Sequence, residues 1–265
     1  MRICIYESRD DLGFHAALTG ANKILNAIKH KGNASIILAT GTSQFEMLKA
    51  LVSMDIPWEK VDVFHLDEYV GIPISHKASF RKYLKERFVE QVKNVRNFYY
   101  INGDAADLKK EIERLSALIG KAEIDVAFIG IGENGHIAFN DPPADFLTES
   151  PYIIVNLNEE CKMQQVREGW FSSISDVPSQ AVSMSVRQII RSKSIICTVP
   201  DERKAEAINM ALHAPISAEA PCSILRTHPD YYLMLDQAAA SKVISIASSV
   251  GGHLIPQQGH SNSPK

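Results

Sequence analysis

Residues 34–43 read ASIILATGTS. Ala34–Ala39 is a continuous apolar run, too short for a helix and rich in isoleucine, which suits a strand buried on both faces of a parallel sheet. A glycine flanked by hydroxyl residues follows at once. Ser43–Met54 then carries Phe45, Leu48, Leu51 and Val52 as apolar positions near helical spacing. A strand, a short polar turn and a helix make the unit from which parallel sheets are built, because a parallel neighbour is reached only through a crossover.

The same alternation extends in both directions. Ahead of this unit, Arg2–Tyr6 (RICIY) reads as a strand and Asp10–His30 as a helix through Leu12, Ala16, Ala17, Ala21, Ile24, Leu25 and Ile28. After it, strands are expected at Val61–Leu66, Ile124–Gly130, Tyr152–Val155, Ala181–Met184, Ser194–Val199 and Tyr232–Leu235. Helices are expected at Ser79–Val89, Ala105–Leu118, Glu159–Trp170, Asp201–Leu212 and Ala238–Ser245. Right-handed βαβ units follow, giving an α/β fold with a mostly parallel, twisted sheet and helices on both faces. No internal repeat and no Pro/Gly/Ser-rich linker divides the chain, so a single domain is expected over residues 1–250. Residues 251–265, GGHLIPQQGHSNSPK, are polar and read as a loosely held tail.

Composition narrows the function classes. The 265 residues are 45% hydrophobic and 22% charged, which is ordinary for a soluble globule. A net charge of −3 gives no electrostatic basis for nucleic acid as the main partner. No apolar run approaches the ~18 residues of a membrane span, and the N-terminus has no signal-peptide pattern. Cys4, Cys161, Cys197 and Cys222 are far apart and form no CxxC pair, which suggests reduced thiols in a cytoplasmic protein.

Three loops after buried strands are chemically unusual, and open parallel sheets bind ligands beyond the C-terminal ends of their strands. In LATGTSQ (38–44), Gly41 permits tight backbone geometry, while Thr40, Thr42 and Ser43 offer hydroxyls beside the free N–H groups of a helix start. That makes a phosphate cradle, although Thr and Ser are also ordinary helix caps and no Walker A pattern is present. In FHLDEYVG (64–71), one acid of the Asp67–Glu68 pair is a candidate general base, against the plainer reading of a solvated turn.

GIGENGHIAFNDPP (130–143) contains GxGxxG, but Asn140-Asp141-Pro142-Pro143 follows too soon for a dinucleotide-binding helix. The glycines fit better as a device for presenting His136, with Asn134 and Asp141 near enough to orient its ring. There is no HExxH, no HxH and no Cys/His set at zinc-like spacing, so no metal is expected. No Gly-x-Ser-x-Gly elbow is present either.

Together these loops resemble the glucosamine-6-phosphate deaminase family, in the wider group that includes 6-phosphogluconolactonases. The resemblance runs from Ala34 to about Asp236. It is carried chiefly by LDEYVGIP (66–73) and GIGENGHIAFNDP (130–142), with PDERKAEAI (200–208) and SILRTHPD (223–230) in support. It implies a modified Rossmann-like fold and a cofactor-free aldose–ketose isomerisation coupled to loss of ammonia, converting glucosamine 6-phosphate to fructose 6-phosphate. By position, Asp67 matches the general base that moves a proton between C2 and C1, and His136 the ring-opening histidine. Asn134 and Asp141 match the residues that hold that imidazole. Thr40, Gly41, Thr42 and Ser43 match the phosphate loop, and Lys204 a phosphate-binding lysine.

This chain departs from the family pattern at several of those positions. Many members carry Asp where this chain has Asn134 and Glu where it has Asp141. The usual proline is missing from the phosphate loop, and Thr42 stands where glycine is frequent. These changes leave galactosamine 6-phosphate open as the substrate. Some members are activated by N-acetylglucosamine 6-phosphate through basic residues soon after the catalytic loop; residues 144–157 contain no Lys or Arg, so no such activation is expected. Glu159–Ser173 corresponds to the family's lid, and Arg167 lies near a phosphate-binding arginine without aligning securely. Relatives occur as monomers and as rings, so a homo-oligomer also stays open. The rival functions are a 6-phosphogluconolactonase, which needs no C2 base, and a non-catalytic sugar-phosphate sensor.

Overall fold

The computed structural model describes residues 1–243. In chain order its elements are β1 (Arg2–Tyr6), α1 (Arg9–Lys31), β2 (Ala34–Leu38), α2 (Phe45–Leu51), β3 (Val61–His65), β4 (Asp67–Tyr69), α3 (Phe80–Leu84), β5 (Asn97–Tyr99), α4 (Leu108–Ile119) and β6 (Val126–Ile129). Then come β7 (Tyr152–Asn156), α5 (Glu159–Arg167), β8 (Gln180–Met184), α6 (Val186–Ile190), β9 (Ser194–Val199), α7 (Ala205–His213) and β10 (Tyr231–Asp236). Seven strands form one sheet in the order β1-β10-β9-β6-β2-β3-β5, and every neighbouring pair is parallel.

Strand alternation explains why that sheet is apolar on both faces. Ile36 and Leu38 of β2, Val126 and Phe128 of β6, and Ile196 of β9 pack with α1 and α2 on one side. Their neighbours Ile37, Ala127, Ile129, Ile195 and Cys197 pack with α4 and α7 on the other. The 23-residue α1 is started by Ser8, whose side chain accepts the Asp11 N–H, with Asp10 and Asp11 in its first turn and Lys29, His30 and Lys31 in its last.

The expected parallel sheet is therefore present, but it is not the only sheet. The strands expected at Tyr152–Val155 and Ala181–Met184 leave it, forming a three-stranded antiparallel sheet in the order β4-β8-β7. The acidic stretch expected to be a loop is itself the edge strand β4, because Asp67, Glu68 and Tyr69 pair with Ser183, Val182 and Ala181. Leu66 joins the two sheets. Its N–H donates to Leu38 O (3.2 Å) in the first, and its carbonyl accepts from Met184 N (2.9 Å) in the second.

Several helices are shorter than their apolar spacing suggested. The one expected at Ser43–Met54 opens as a 3-10 turn over Thr42–Gln44 before α2 begins, and the one expected at Glu159–Trp170 ends at Arg167. The last five residues of Ser79–Val89 form a π-helical turn, Lys85–Val89. The expected helix Ala238–Ser245 runs past the described residues, and the expected tail lies wholly outside them. Among the described residues no helix is long and apolar enough to cross a membrane.

Candidate active site

The tips of β2, β3, β6 and β9 all open on one cleft of about 530 Å³, including its mouth. Thr40, Gly41, Thr42, Ser43, Asp67, His136 and Lys204, expected from three loops and a helix start, all line it. Asn134 and Asp141 stand one layer behind His136.

The 40–43 loop is held from outside. Gly41 adopts φ +95°, a region that disfavours any side chain, and so turns the chain out of β2. The Gly41 carbonyl accepts the Tyr83 hydroxyl (3.1 Å), and the Thr42 carbonyl accepts an Arg9 N–H (3.0 Å). In a trans peptide the N–H points opposite to the C=O, so the N–H groups of Thr42 and Ser43 face away from those two anchors.

Lys204 approaches from β9 through the 3-10 turn Glu202–Lys204. Asp236, at the end of β10, fixes that turn by accepting the Asp201 N–H at 3.0 and 3.2 Å. Asp201 sits at φ +89°, a strained conformation for a residue with a side chain. Lys204 itself is only 5% exposed and makes no ion pair among the described residues. Burial pushes its ammonium below the usual lysine range, although Glu168 and Glu133 oppose the shift. A buried cation with no carboxylate partner among the described residues, beside amide and hydroxyl donors, has the chemistry to hold an anion.

The two acids of β4 have opposite surroundings. Glu68 is fully buried, and it accepts the Tyr69 N–H (2.9 Å), Ser79 hydroxyl (2.8 Å), Phe80 N–H (3.1 Å) and Arg81 N–H (2.8 Å). It is thus the anchor for the start of α3, and alternation along the strand sends Asp67 the other way, into the cleft. Asp67 Oδ1 has no hydrogen-bond partner among the described residues. Burial, reinforced by the Glu68 charge, pushes the Asp67 carboxyl up to about 8.

His136 depends on the glycines before it. A Cβ on Gly132 would lie 2.1 Å from His136 Cε1, so only glycine leaves room for the ring. Gly132 N–H donates to His136 O (2.9 Å), and Asn134 Oδ1 accepts the His136 N–H (3.1 Å), closing the loop on itself. Asp141 Oδ1 lies 3.2 Å from His136 Nδ1, off the line of a straight hydrogen bond, and accepts the Asn134 amide at 3.1 Å. Asp141 Oδ2 accepts the Asn158 N–H (3.1 Å). Burial alone would raise the Asp141 carboxyl, but His136, Asn134 and Asn158 outweigh it and hold it below the usual range. Asn134 therefore braces Asp141 and the loop backbone, and Asp141 alone meets the ring. Asn140 ties the loop to the second sheet: its amide donates to Ile137 O and Met184 O, each at 2.8 Å.

Sequence reasoning missed the fourth wall. Gln164, Gln165 and Glu168, from α5 and its C-terminal cap, also line the cleft. Gln164 accepts the Glu133 N–H (2.9 Å) and donates to Glu168 (2.7 Å), while Gln165 accepts the Tyr69 hydroxyl (2.6 Å). The available signal was a pair of glutamines on a helix already expected to cover the site. Arg167, near the expected position of a phosphate ligand, is turned to Glu133 instead and does not line the cleft.

The family model for glucosamine-6-phosphate isomerases/6-phosphogluconolactonase matches residues 7–233. The chain is 36% identical over 247 residues to a glucosamine-6-phosphate deaminase of Clostridium botulinum (strain Eklund 17B / Type B), covering 91% of this chain and 96% of that protein. It is 36% identical to the Staphylococcus epidermidis (strain ATCC 12228 / FDA PCI 1200) glucosamine-6-phosphate deaminase, covering 91% and 98%. A solved monomeric glucosamine-6-phosphate deaminase superposes with a TM-score of 0.82 at 31% identity, over 91% of this chain and 99% of that one. A 6-phosphogluconolactonase structure from Neisseria gonorrhoeae FA 1090, described as putative, has a TM-score of 0.72 at 17% identity, over 89% and 99%, a likeness of fold. This chain belongs to the glucosamine-6-phosphate isomerase/6-phosphogluconolactonase family.

Proposed function

We propose that the protein converts a hexosamine 6-phosphate, glucosamine 6-phosphate first among them, to fructose 6-phosphate and ammonia. The observation that carries this reading is the convergence of Asp67, His136 and the buried Lys204, which has no ion pair among the described residues, on one cleft. The similarity to glucosamine-6-phosphate deaminases supports it over nearly the whole chain.

Lys204, with the amides and hydroxyls of the 40–43 loop, meets the dianionic phosphate and fixes one end of the sugar. His136, with Nδ1 turned to Asp141, keeps Nε2 for the sugar and carries a proton between the C1 hydroxyl and the ring oxygen, opening the ring. Asp67, as a carboxylate, then takes the C2 proton and returns it at C1. The resulting C2 iminium adds water and releases ammonia, so water is the only co-reactant. A carboxyl pushed up towards neutral pH is a stronger base than an ordinary one, which suits removal of a carbon-bound proton.

The four cysteines are all free thiols, which supports a reducing, cytoplasmic setting. The deciding experiment measures ammonia release from glucosamine 6-phosphate and galactosamine 6-phosphate, beside hydrolysis of 6-phosphogluconolactone. Ammonia release with no lactone turnover is expected. Lactone hydrolysis without ammonia release would replace this reading by the lactonase one, and phosphate-sugar binding without either reaction by the sensor.

A further inference from the structure

Side chains from two stretches of the chain, the 130–143 loop and α5, meet at the imidazole. A ring nitrogen of His136, a carboxylate oxygen of Asp141 and Cys161 Sγ all lie within 4.8 Å of one another, and Nδ1 is the ring nitrogen 3.2 Å from Asp141 Oδ1. His136 and Cys161 are buried, and the Asp141 side chain is 7% exposed. Cys161 is placed from the first turn of α5, where its N–H donates to the helix cap Asn158 (2.8 Å). The Asn158 N–H in turn holds Asp141 Oδ2, which leaves Oδ1 on the side of the ring. His136 Nδ1 is buried and has no aligned hydrogen-bond partner.

Imidazole nitrogen, thiolate sulfur and carboxylate oxygen are the donor types that zinc takes. Tetrahedral bonds of ~2.0–2.3 Å set ligand atoms ~3.3–3.6 Å apart. The 3.2 Å between His136 Nδ1 and Asp141 Oδ1 is already close to one such edge. The 4.8 Å limit on the sulfur leaves about one ångström to close, within the reach of a side-chain adjustment. No motif search finds this set, because its members come from positions 136, 141 and 161, on two different elements.

We propose that His136, Asp141 and Cys161 form a binding site for a zinc-type divalent cation, with water in the fourth position, and that its occupation switches the enzyme off. As the metal–sulfur bond forms, the Cys161 thiol gives up its proton to solvent. The metal takes the Nδ1 lone pair, so the single proton of the neutral ring must reside on Nε2. A protonated Nε2 cannot accept the sugar's proton, and ring opening stops. The metal also ties α5 to the histidine loop across the back of the cleft. The inhibition rests on the proposed role of His136; the binding does not.

The test is a titration of the full chain with Co²⁺, followed by absorbance. One equivalent is expected to give a near-ultraviolet thiolate-to-cobalt band with the visible bands of four-coordinate cobalt, and Zn²⁺ is expected to displace it. Cys161→Ser and Cys161→Ala are expected to lose the near-ultraviolet band and to bind Zn²⁺ about 10–100-fold more weakly, at least the loss seen on removing an outer-sphere partner. Ammonia release by the parent protein is expected to fall with Zn²⁺ and return with chelator, and each variant, scored against its own metal-free rate, to resist the same Zn²⁺. Absence of the band in the parent overturns the site, as does a band that persists in both variants. Equal Zn²⁺ inhibition of parent and variants overturns the switch. A band that appears in a protein with no ammonia release upholds the site while removing the deaminase reading, so the two failures are distinct.

Discussion

Asp67 and Glu68 are consecutive residues of one three-residue strand, and they are solvated in opposite ways. Glu68 has four protein donors within 3.1 Å, whereas Asp67 Oδ1 has none. The strand's alternation makes the division of labour, because one carboxylate must face the anchored start of α3 if the other is to face the cleft.

The first expected outcome concerns rate and pH. Asp67 is active as a carboxylate and is pushed up to about 8, so kcat/KM for the amino sugar phosphate should rise with pH through that region. The limb should vanish with the activity in Asp67→Asn, while inorganic phosphate still binds. A flat profile from pH 5 to 9 would remove Asp67 from its role.

Stability should respond to the same group with the opposite sense. A folded-state pKa raised above the unfolded one favours folding while the group is protonated, and that advantage is lost as pH rises towards about 8. Asp67→Asn cannot ionise. Its melting temperature should match the parent near pH 4 and exceed it at pH 8–9, by about 2–4 °C for each kcal/mol recovered. Calorimetry at the two pH values checks this.

Lys204 should separate binding from stability. Lys204→Met removes a buried cation that has no ion-pair partner among the described residues, so the ligand-free protein should melt no lower than the parent. Its KM should rise about 10–100-fold, equivalent to ~1.4–2.7 kcal/mol, with a smaller change in kcat. Inorganic phosphate at a hundred times its Kd should stabilise the parent by about 2.7 kcal/mol and this variant far less.

Gly132→Ala should act on turnover alone. The added Cβ would come within 2.1 Å of the His136 ring and displace it, while the phosphate loop is untouched. A displacement of the imidazole by about 1 Å should lower kcat on the order of 100-fold. Protection by inorganic phosphate should survive, which thermal shift measures directly.

Asn134→Asp should be tolerated only at low pH. Its amide donates to Asp141 at 3.1 Å, and an aspartate there would set two carboxylates against each other. A loss of about 1–3 kcal/mol is expected at pH 7, shrinking as pH falls and one acid takes a proton. Urea unfolding at pH 7 and pH 5 tests this.

The parallel sheet was legible because its strands announce themselves: ASIILA, VDVFHL and SIICTV are short and predominantly apolar, as burial on two faces requires. The second sheet was not, since β4 is three residues long and carries two acids, and nothing local reveals that Ser183 and Val182 will pair with them. Asp67 and His136 were found because each lies in an unusual loop after a readable strand, and Lys204 only through the family resemblance. Gln164, Gln165 and Glu168 were not, because polar residues on a helix ordinarily face water, and only the packing of α5 over the cleft reverses that. The residues alone left Glu68 indistinguishable from Asp67, the resemblance chose Asp67, and the donors at the start of α3 give the physical reason.

Leu66, with its N–H on Leu38 and its carbonyl on Met184, is the single residue separating the two sheets. The phosphate loop and Lys204 belong to the larger sheet and Asp67 to the smaller, so the jaws of a caliper are set by one peptide unit on either side of Leu66. Its opening gauges how many carbon atoms separate a phosphate from the carbon that loses its proton. An amino sugar phosphate one carbon shorter should be gripped at its anionic end and yet lie out of reach of the base.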